Sequence, residues 1–171
     1  MKAPAGRGKK YGTTYKKKLV TTDAYLAMGT QGVGVCESCQ AVYRNKRWYV
    51  NGDLVKAGTP TTTVVCPACL KIRDNFPGGI VTLAGGYVLP NKREIMKLVK
   101  NEEDRARGFN PLERVMSIKE NGRGSIVIST TNEKLAQRLG RAIKKAFHGK
   151  LAYNWSHDNK LVRVDWVREM E

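Results

Sequence analysis

The sequence predicts an α+β protein, and three observations lead to this expectation. Two Cys-x-x-Cys pairs, CESC and CPAC, contain all four cysteines of the 171-residue chain. A basic amphipathic helix lies between two β-hairpin patterns near the carboxyl terminus. The first 18 residues are basic and poor in large apolar side chains. We therefore expect a disordered basic arm, a treble-clef or zinc-ribbon module, and a C-terminal ββαββ unit whose antiparallel sheet packs on a helix.

These features divide the chain into four parts. We place the flexible arm at residues 1–18, the cysteine module at 19–90, a linking helix at 91–112, and the ββαββ domain at 113–171. Within the second part, the glycine-rich GTQGVGV before the first cysteine pair reads as a flexible lead.

The four cysteines have the spacing of a metal site. Two residues separate the thiols of Cys36 and Cys39, two separate those of Cys66 and Cys69, and 26 residues lie between the pairs. This spacing is typical of four-thiolate zinc sites. Four thiolates complete the tetrahedral coordination of Zn²⁺ and leave no position for water or substrate. We therefore predict Zn²⁺ as a structural cofactor.

Three other uses of these thiols compete with zinc. Disulfides need an oxidising compartment, yet Met1 is followed by a polar basic stretch and not by an apolar signal segment. A redox dithiol fits CPAC, because TTTVV before it and LKIRDN after it read as a strand that runs into a helix. An iron centre would use the same four ligands. The second cysteine pair favours a metal over a dithiol.

The charge of the chain points to a polyanionic partner. There are 31 Lys and Arg residues against 15 Asp and Glu residues, which gives a net charge of +16. Proteins this basic commonly neutralise phosphate. No apolar run approaches the ~18 residues that a membrane span needs, and no basic amphipathic segment at the amino terminus has the form of a membrane-surface helix. We expect a cytoplasmic protein without a membrane partner.

The amino-terminal arm carries a dense set of candidate nucleic-acid contacts. It holds seven basic residues and no acid, and its two tyrosines are its only large side chains apart from those cations and Met1. Basic arms with interleaved aromatic residues order along phosphates and stack on bases. The candidate contacts in the arm are Lys9, Lys10, Tyr11, Tyr15, Lys16, Lys17 and Lys18.

A second set of candidate contacts lies in the cysteine module. AVYR and RWYV are β-prone runs on either side of Asn45-Lys46, which predicts a hairpin with Arg44, Lys46 and Arg47 at its tip. Lys71 and Arg73 lie on the short helix after CPAC, one turn from the thiolates. A structural role, next to the negative charge of a metal-thiolate centre, and a nucleic-acid role are both open for this last pair.

The C-terminal unit contributes the third set. VMSIKE, the turn NGRG and SIVIST predict one hairpin, and a second hairpin carries Tyr153, Trp155 and Trp166 on its strands. Thr130 and Glu133 form a capping-box pattern at the start of the helix between the hairpins. Exposed aromatic residues on an open sheet face would suit base stacking. The basic face of the helix carries Lys134, Arg138, Arg141, Lys144 and Lys145.

No arrangement of catalytic residues is evident in the sequence. The two histidines, His148 and His157, read as a helix-end cation and a turn residue. The many glycines form neither a phosphate-binding loop nor a dinucleotide fingerprint. We therefore expect a protein that is not an enzyme and has no small-molecule substrate.

Two stretches resemble a known group of proteins. CPACLKIRDNFPGG and RVMSIKENGRGSIVISTTNEKLAQRLGRAIKKAF are similar to segments of little-characterised bacterial zinc-ribbon proteins. Through them the chain is distantly similar to the amino-terminal region of the archaeal and eukaryotic adaptor for nuclear export of the large ribosomal subunit. The resemblance covers most of residues 33–168. It implies zinc binding at Cys36, Cys39, Cys66 and Cys69, and attachment to ribosomal RNA or ribosomal subunits.

The leading hypothesis is therefore a zinc-stabilised RNA-binding protein of the translation machinery, acting in assembly, hibernation or a related step. Two alternatives remain open at this point. One is a DNA-binding, transcription-associated zinc protein, which uses the same phosphate chemistry but needs an element that enters a groove. The other is a protein-interaction module in which zinc only holds a scaffold together.

Overall fold

A computed structural model of the chain describes residue 25, residues 32–50, residue 55, residues 58–156 and residues 160–170. These residues form nine strands and three helices, arranged as two mixed sheets with helices beside them. The expected α+β class is confirmed. The predicted arm at residues 1–18 lies outside the described residues.

The first sheet has four short strands. They are β1 (Val33–Cys36), β2 (Val42–Arg44), β3 (Arg47–Tyr49) and β4 (Thr61–Val64). β1 pairs antiparallel with β2 and parallel with β4, and β3 completes the sheet beyond β2. β1 overlaps the stretch that the sequence suggested to be a flexible lead. Its strand pairing on both sides outweighs the low strand propensity of its glycine.

The predicted hairpin at Asn45-Lys46 is confirmed. Both residues have positive φ, 50° and 62°, which is the backbone conformation of the two-residue turns that match the twist of antiparallel strands. Asparagine accepts this conformation more readily than other residues with side chains. The turn places Arg44 and Arg47 as a cross-strand pair next to the hairpin tip.

The second sheet has five strands: β5 (Gly79–Ala84), β6 (Val115–Glu120), β7 (Ile126–Thr130), β8 (Lys150–Trp155) and β9 (Val162–Val167). Their order in the sheet is β6-β7-β5-β9-β8. Both predicted hairpins are present, since β6 pairs antiparallel with β7 and β8 pairs antiparallel with β9. A further strand, β5, lies between them at the centre of the sheet.

The prediction of an antiparallel ββαββ sheet is therefore wrong in one respect. β5 is antiparallel to β7 but parallel to β9, so the sheet is mixed. β5 precedes the predicted domain start at residue 113, and the proposed division at residue 90 separates it from the sheet in which it lies. Its alternating burial, with Val81 and Leu83 fully buried, explains why the two hairpins need it: it supplies the middle of the core.

Two helices cover one face of this sheet. α3 (Glu133–Phe147) packs on the strands, and α2 (Lys92–Phe109) packs beside it. Their buried residues join those of the sheet in one core of 15 buried residues, which includes Ile95 and Val99 of α2 and Leu139 and Ile143 of α3. The linking helix predicted within residues 91–112 is thus present and is part of the core.

The start of α3 differs from the expected capping box. Asn132 is the N-cap, and its side-chain oxygen accepts a hydrogen bond from the Leu135 amide at 3.0 Å. Thr130 instead ends β7, where its buried hydroxyl donates to the carbonyl of Asn132 at 2.8 Å. Strand pairing of Thr130 with Gly79 takes that residue away from the helix and leaves the cap to Asn132.

The aromatic residues of the second hairpin do not lie on the open face of the sheet. Tyr153 and Trp155 pair with Val164 and Val162, whose side chains are buried under the helices, so both rings are on the helix side of the edge strand β8. They remain exposed there, while Trp166 is fully buried. The stacking surface expected on the open face is therefore absent from that face within the described strands.

Within the described ranges, none of the helices combines the length and the apolar composition that a membrane crossing requires.

Candidate metal centre and the surface beside it

The four cysteine side chains converge on one point. The Sγ atoms of Cys36 and Cys69 lie 3.8 Å apart, those of Cys39 and Cys66 lie 3.6 Å apart, and all four lie within 4.8 Å of one another. A tetrahedron with metal–sulfur bonds of about 2.3 Å has edges of ~3.8 Å between its sulfur atoms. The donor set and its spacing are compatible with a metal ion bound by all four thiolates.

Each cysteine pair sits where the chain changes direction. Cys36 ends β1, and Cys39 follows in the turn that leads to β2. Cys66 is the N-cap of the short helix α1 (Pro67–Arg73), and Cys69 lies in the first turn of that helix. Because β1 and β4 are parallel neighbours, both pairs follow the carboxyl ends of adjacent strands and meet at one edge of the first sheet.

Backbone amides point at the sulfur atoms. The Cys66 amide donates to Cys36 Sγ at 3.3 Å, and the Cys69 amide donates to Cys66 Sγ at 3.4 Å. Such donors stabilise thiolates over thiols, because they compensate negative charge on sulfur. The turns around the two pairs therefore direct hydrogen-bond donors at sulfur atoms that would carry negative charge in a metal-bound cluster.

The thiols differ in their acidity. A hydrogen bond from the Cys66 thiol, assisted by the Ala41 amide and the charge of Arg114, lowers the pKa of Cys39 to about 4. The same hydrogen bond, together with burial, raises the pKa of Cys66. Burial also raises the pKa of Cys69. The raised pKa values favour the protonated thiols of Cys66 and Cys69, so binding of a metal ion by all four thiolates would release protons.

A cation distant in sequence contacts the cluster. Arg114 Nη1 donates to Cys69 Sγ at 3.4 Å, and its Nε donates to the Pro111 carbonyl. Burial opposes the charge of this guanidinium, but the negative charges of Cys39, Cys69 and Cys66 raise its pKa. Four thiolates around a divalent ion leave surplus negative charge, and Arg114 is placed to offset part of it. No local pattern in the sequence indicates this role.

The distances between the sulfur atoms bear on the choice among a disulfide, a redox dithiol and a metal site. Separations of 3.6 Å and 3.8 Å are far longer than the ~2.05 Å of a disulfide bond. A dithiol at a helix start does occur here, since Cys66 caps α1. However, a redox pair needs only two sulfur atoms, and the close approach of Cys36 and Cys39 to the same point is the arrangement of a metal site.

The cluster is joined to the second sheet through Thr131. The Thr131 hydroxyl donates to the Leu112 carbonyl at 2.6 Å and accepts from the Arg114 amide at 2.9 Å. The Thr131 carbonyl accepts a hydrogen bond from Lys71 Nζ at 3.1 Å. Leu112 also packs against the apolar residues around the cysteines. These contacts fix the orientation of the cysteine module relative to α3, which begins two residues after Thr131.

The predicted nucleic-acid contacts fall into three groups. The seven candidates of the arm lie outside the described residues. The hairpin and α3 candidates are exposed, apart from the half-buried Arg138, and they lie on the surface as the sequence suggested. Lys71 and Arg73 separate: Arg73 is exposed and pairs with Asp74 at 2.8 Å, whereas only 6% of Lys71 is exposed. Burial and the bond to Thr131 fit the structural alternative for Lys71.

Three of the predicted cations line two neighbouring clefts and form a cationic surface: Lys46, Arg47 and Lys134. One cleft is lined by Lys46 and Arg47, and a second is lined by Lys134. The two clefts share the lining residues Pro67, Asn110 and Leu112, so they are neighbours. Pro67 is the residue after the metal-ligand candidate Cys66, and the cationic surface therefore lies beside the cysteine cluster.

The sequence reasoning missed one residue of this surface. Phe109, the last residue of α2, is 84% exposed and lines the cleft of Lys46 and Arg47. Its only signal in the sequence is an aromatic residue after the mixed-charge helix end, which is equally typical of a packed helix terminus.

Comparison with protein-family models, with curated proteins and with solved structures finds no match to this chain.

Proposed function

We propose that this chain is a non-enzymatic, zinc-stabilised RNA-binding protein that associates with ribosomal RNA or a ribosomal subunit. The observation that carries this proposal is the cationic surface beside the cysteine cluster, where the clefts of Lys46, Arg47 and Lys134 share three lining residues. A folded surface of this kind, on a chain of net charge +16, is suited to a phosphate backbone.

Zinc is the ion that the donor set suits best. Cys36, Cys39, Cys66 and Cys69 provide four soft thiolate donors with the separations of a tetrahedron. Bound Zn²⁺ would supply structural cross-linking and no reactive position. The order of the elements, with a knuckle, a hairpin, a second knuckle and a short helix, makes this a treble-clef-like module in our proposal.

Metal analysis of the purified protein tests the zinc part. We expect one zinc ion per chain by native mass spectrometry and elemental analysis. Substitution with Co²⁺ should give the absorption bands of a tetrahedral thiolate site. Stoichiometric iron, or a protein that folds fully without any transition metal, would contradict this part of the proposal.

The RNA-binding part of the proposal rests on cations carried by well-defined backbone elements, and not on a catalytic site. Lys46 and Arg47 are held by the tight turn of the β2–β3 hairpin, and Lys134 is held in the first turn of α3. Because the cysteine cluster and Thr131 fix the backbones of these elements relative to each other, less of the protein chain must be ordered when their cations bind phosphates. Ribosomal RNA is proposed as the partner on the strength of the sequence resemblance.

Binding to ribosomal RNA fragments across a salt series tests this surface. With about six to ten phosphate contacts, affinity should fall ~10³–10⁵-fold between about 50 and 200 mM salt. The double variant Lys46→Glu with Arg47→Glu should weaken binding and flatten the salt slope. The matched control is Lys97→Glu with Lys119→Glu, two exposed lysines that line neither cleft.

Three outcomes of these measurements contradict the proposal. One is an affinity that does not respond to salt. Another is an equal loss of affinity in the hairpin variant and in the control variant. The third is displacement of structured RNA by duplex DNA at lower concentration, which would favour the DNA-binding alternative. Co-sedimentation of the intact protein with ribosomes on a gradient tests the ribosomal partner separately.

A further inference from the structure

We propose that the cleft between the β2–β3 hairpin and the end of α2 binds an unpaired nucleobase of single-stranded RNA. This inference rests on the proposed RNA-binding function and names the part of the RNA that the surface recognises. Three aromatic rings and two cations meet at this cleft: Tyr43, Trp48 and Phe109, with Lys46 and Arg47.

The two walls of the cleft come from distant parts of the chain. The hairpin supplies Tyr43 and Trp48. The last residue of α2 supplies Phe109, and the segment after that helix supplies Leu112. The cleft is open to solvent and has a volume of about 300 Å³, at the lower end of the range for small-molecule sites. A cleft of this size suits one flat, ring-sized group and not a folded protein element.

The hairpin wall is rigid. Tyr43 and Trp48 are directly opposite each other on β2 and β3, and their ring centroids lie 5.2 Å apart at an interplanar angle of 51°. Trp48 also packs against the apolar residues around the cysteines. The position of this aromatic pair therefore depends on the same cluster that would hold the metal ion.

The opposite wall offers a ring that nothing in the described residues covers. Phe109 is 84% exposed, the largest exposed fraction of any large apolar side chain in that part of the chain. A single exposed apolar residue is ordinary. Its place on the rim of a cleft that already contains two aromatic rings is informative, because a base that enters would stack between or against them.

The charges of the cleft select a nucleic acid over a peptide. Lys46 and Arg47 line the same cavity as the rings, and none of the described residues that line it is acidic. A nucleotide combines an uncharged aromatic plane with an adjacent phosphate, which matches rings flanked by cations. Most peptide ligands lack the negative charge that this arrangement would compensate.

A charge-matched pair of RNA probes tests the proposal. The first probe is an oligo-uridine strand of about ten nucleotides, within the site sizes of single-strand binders. The second is the same backbone with abasic sites, which keeps every phosphate and removes the bases. We expect the intact protein, loaded with its metal, to bind the first probe about tenfold more tightly or better.

Variants of Phe109 and of the hairpin cations separate the contributions. Phe109→Ala should remove most of the preference for the base-containing strand and leave affinity for the abasic strand unchanged. Phe109→Trp should restore the preference, since it restores a stacking surface. Lys46→Glu with Arg47→Glu should weaken binding of both probes. The melting temperature and metal content of each variant report whether the fold is intact. We expect both to be unchanged in Phe109→Ala, because the Phe109 side chain is largely exposed.

Different results would refute the base-binding cleft and the proposed RNA-binding function. If the wild-type protein binds both probes equally with a strong salt dependence, RNA binding stands and the base-binding cleft is refuted. Equal losses for both probes in Phe109→Ala would refute it as well. If neither probe nor structured RNA binds, the proposed function itself fails. A photo-crosslinker at position 109 that labels only protein in a ribosome-containing extract would show a protein occupant and overturn the proposal.

Discussion

Arg114 Nη1 lies 3.4 Å from Cys69 Sγ, and these two residues are 45 positions apart in the chain. Arg114 directly precedes β6 of the second sheet, whereas Cys69 belongs to the cysteine module. The contact places a cation on the cluster from outside the module that supplies the thiolates. The charge balance of the cysteine cluster and the attachment of the module to the sheet are therefore linked through one side chain.

Replacement of Arg114 should weaken metal binding. Groups that hydrogen-bond to metal ligands commonly contribute about 10–100-fold to metal affinity, so Arg114→Ala should lower zinc affinity by that order. Competition against a chromophoric chelator measures the change. Arg73→Ala is the matched control, because Arg73 also lies near the cluster in sequence but its guanidinium is exposed and pairs with Asp74. Equal effects of the two variants would contradict the assigned role of Arg114.

Loss of a thiolate should unfold only part of the protein. The cysteine module has four buried residues in its core, and the second sheet with its helices has 15. Structural zinc supplies roughly 10–16 kcal/mol in small finger peptides, so the small core depends on the metal. Cys66→Ser should therefore abolish amide protection in β1–β4 and preserve it in β5, β7 and β9. Hydrogen exchange with metal analysis makes the measurement, and protection retained in both sheets without metal would refute this dependence.

Zinc affinity should rise with pH. In the metal-free protein the pKa of Cys39 is lowered to about 4, so that thiol is ionised above that pH, whereas the pKa values of Cys66 and Cys69 are raised and both retain protons at neutral pH. Metal binding must release those protons. The logarithm of the apparent affinity should thus increase by about two or more per pH unit near neutrality. A flat profile between about pH 6 and 8 would show that the thiols are already ionised.

We expect Lys71 to stabilise the fold and not to contact RNA. Its buried ammonium group donates to the Thr131 carbonyl at 3.1 Å. Lys71→Ala removes this donor from a buried acceptor, which should lower the free energy of unfolding by about 1–3 kcal/mol. The salt slope of RNA binding should not change, whereas the exposed Lys46→Ala should reduce that slope by about one. A reduced slope in Lys71→Ala would restore Lys71 to the set of phosphate contacts.

Turn residues and hydrophobic periodicity predicted those elements whose structure depends on neighbouring residues in the sequence. The Asn45-Lys46 turn, the two C-terminal hairpins and the extent of α2 follow from turn residues and periodicity, and the structure contains them. The convergence of the four thiols also follows from their spacing. The turns and hairpins are each determined within one supersecondary unit, and the thiols by two short motifs with a typical separation.

Features that depend on distant pairing were not predictable from one sequence. Nothing local shows that β5 inserts between two hairpins that come more than 30 residues later, or that it runs parallel to β9. Thr130 and Asn132 are both good N-caps, and the choice between them follows from the pairing of Thr130 with Gly79. Arg114 and Phe109 likewise gain their roles from contacts across the fold.

Two glycine-to-alanine changes should shift stability in opposite directions. A Cβ on Gly140 in α3 would lie 2.5 Å from Val164 Cγ1, because the helix approaches β9 closely at that point. Gly140→Ala should therefore destabilise the protein by about 1–3 kcal/mol through overpacking. Gly108 lies near the end of α2 with open space around its Cα, so Gly108→Ala should stabilise by up to about 1 kcal/mol through helix propensity. Denaturant unfolding of both variants measures the signs, and a neutral Gly140→Ala would mean that α3 lies farther from the sheet than described.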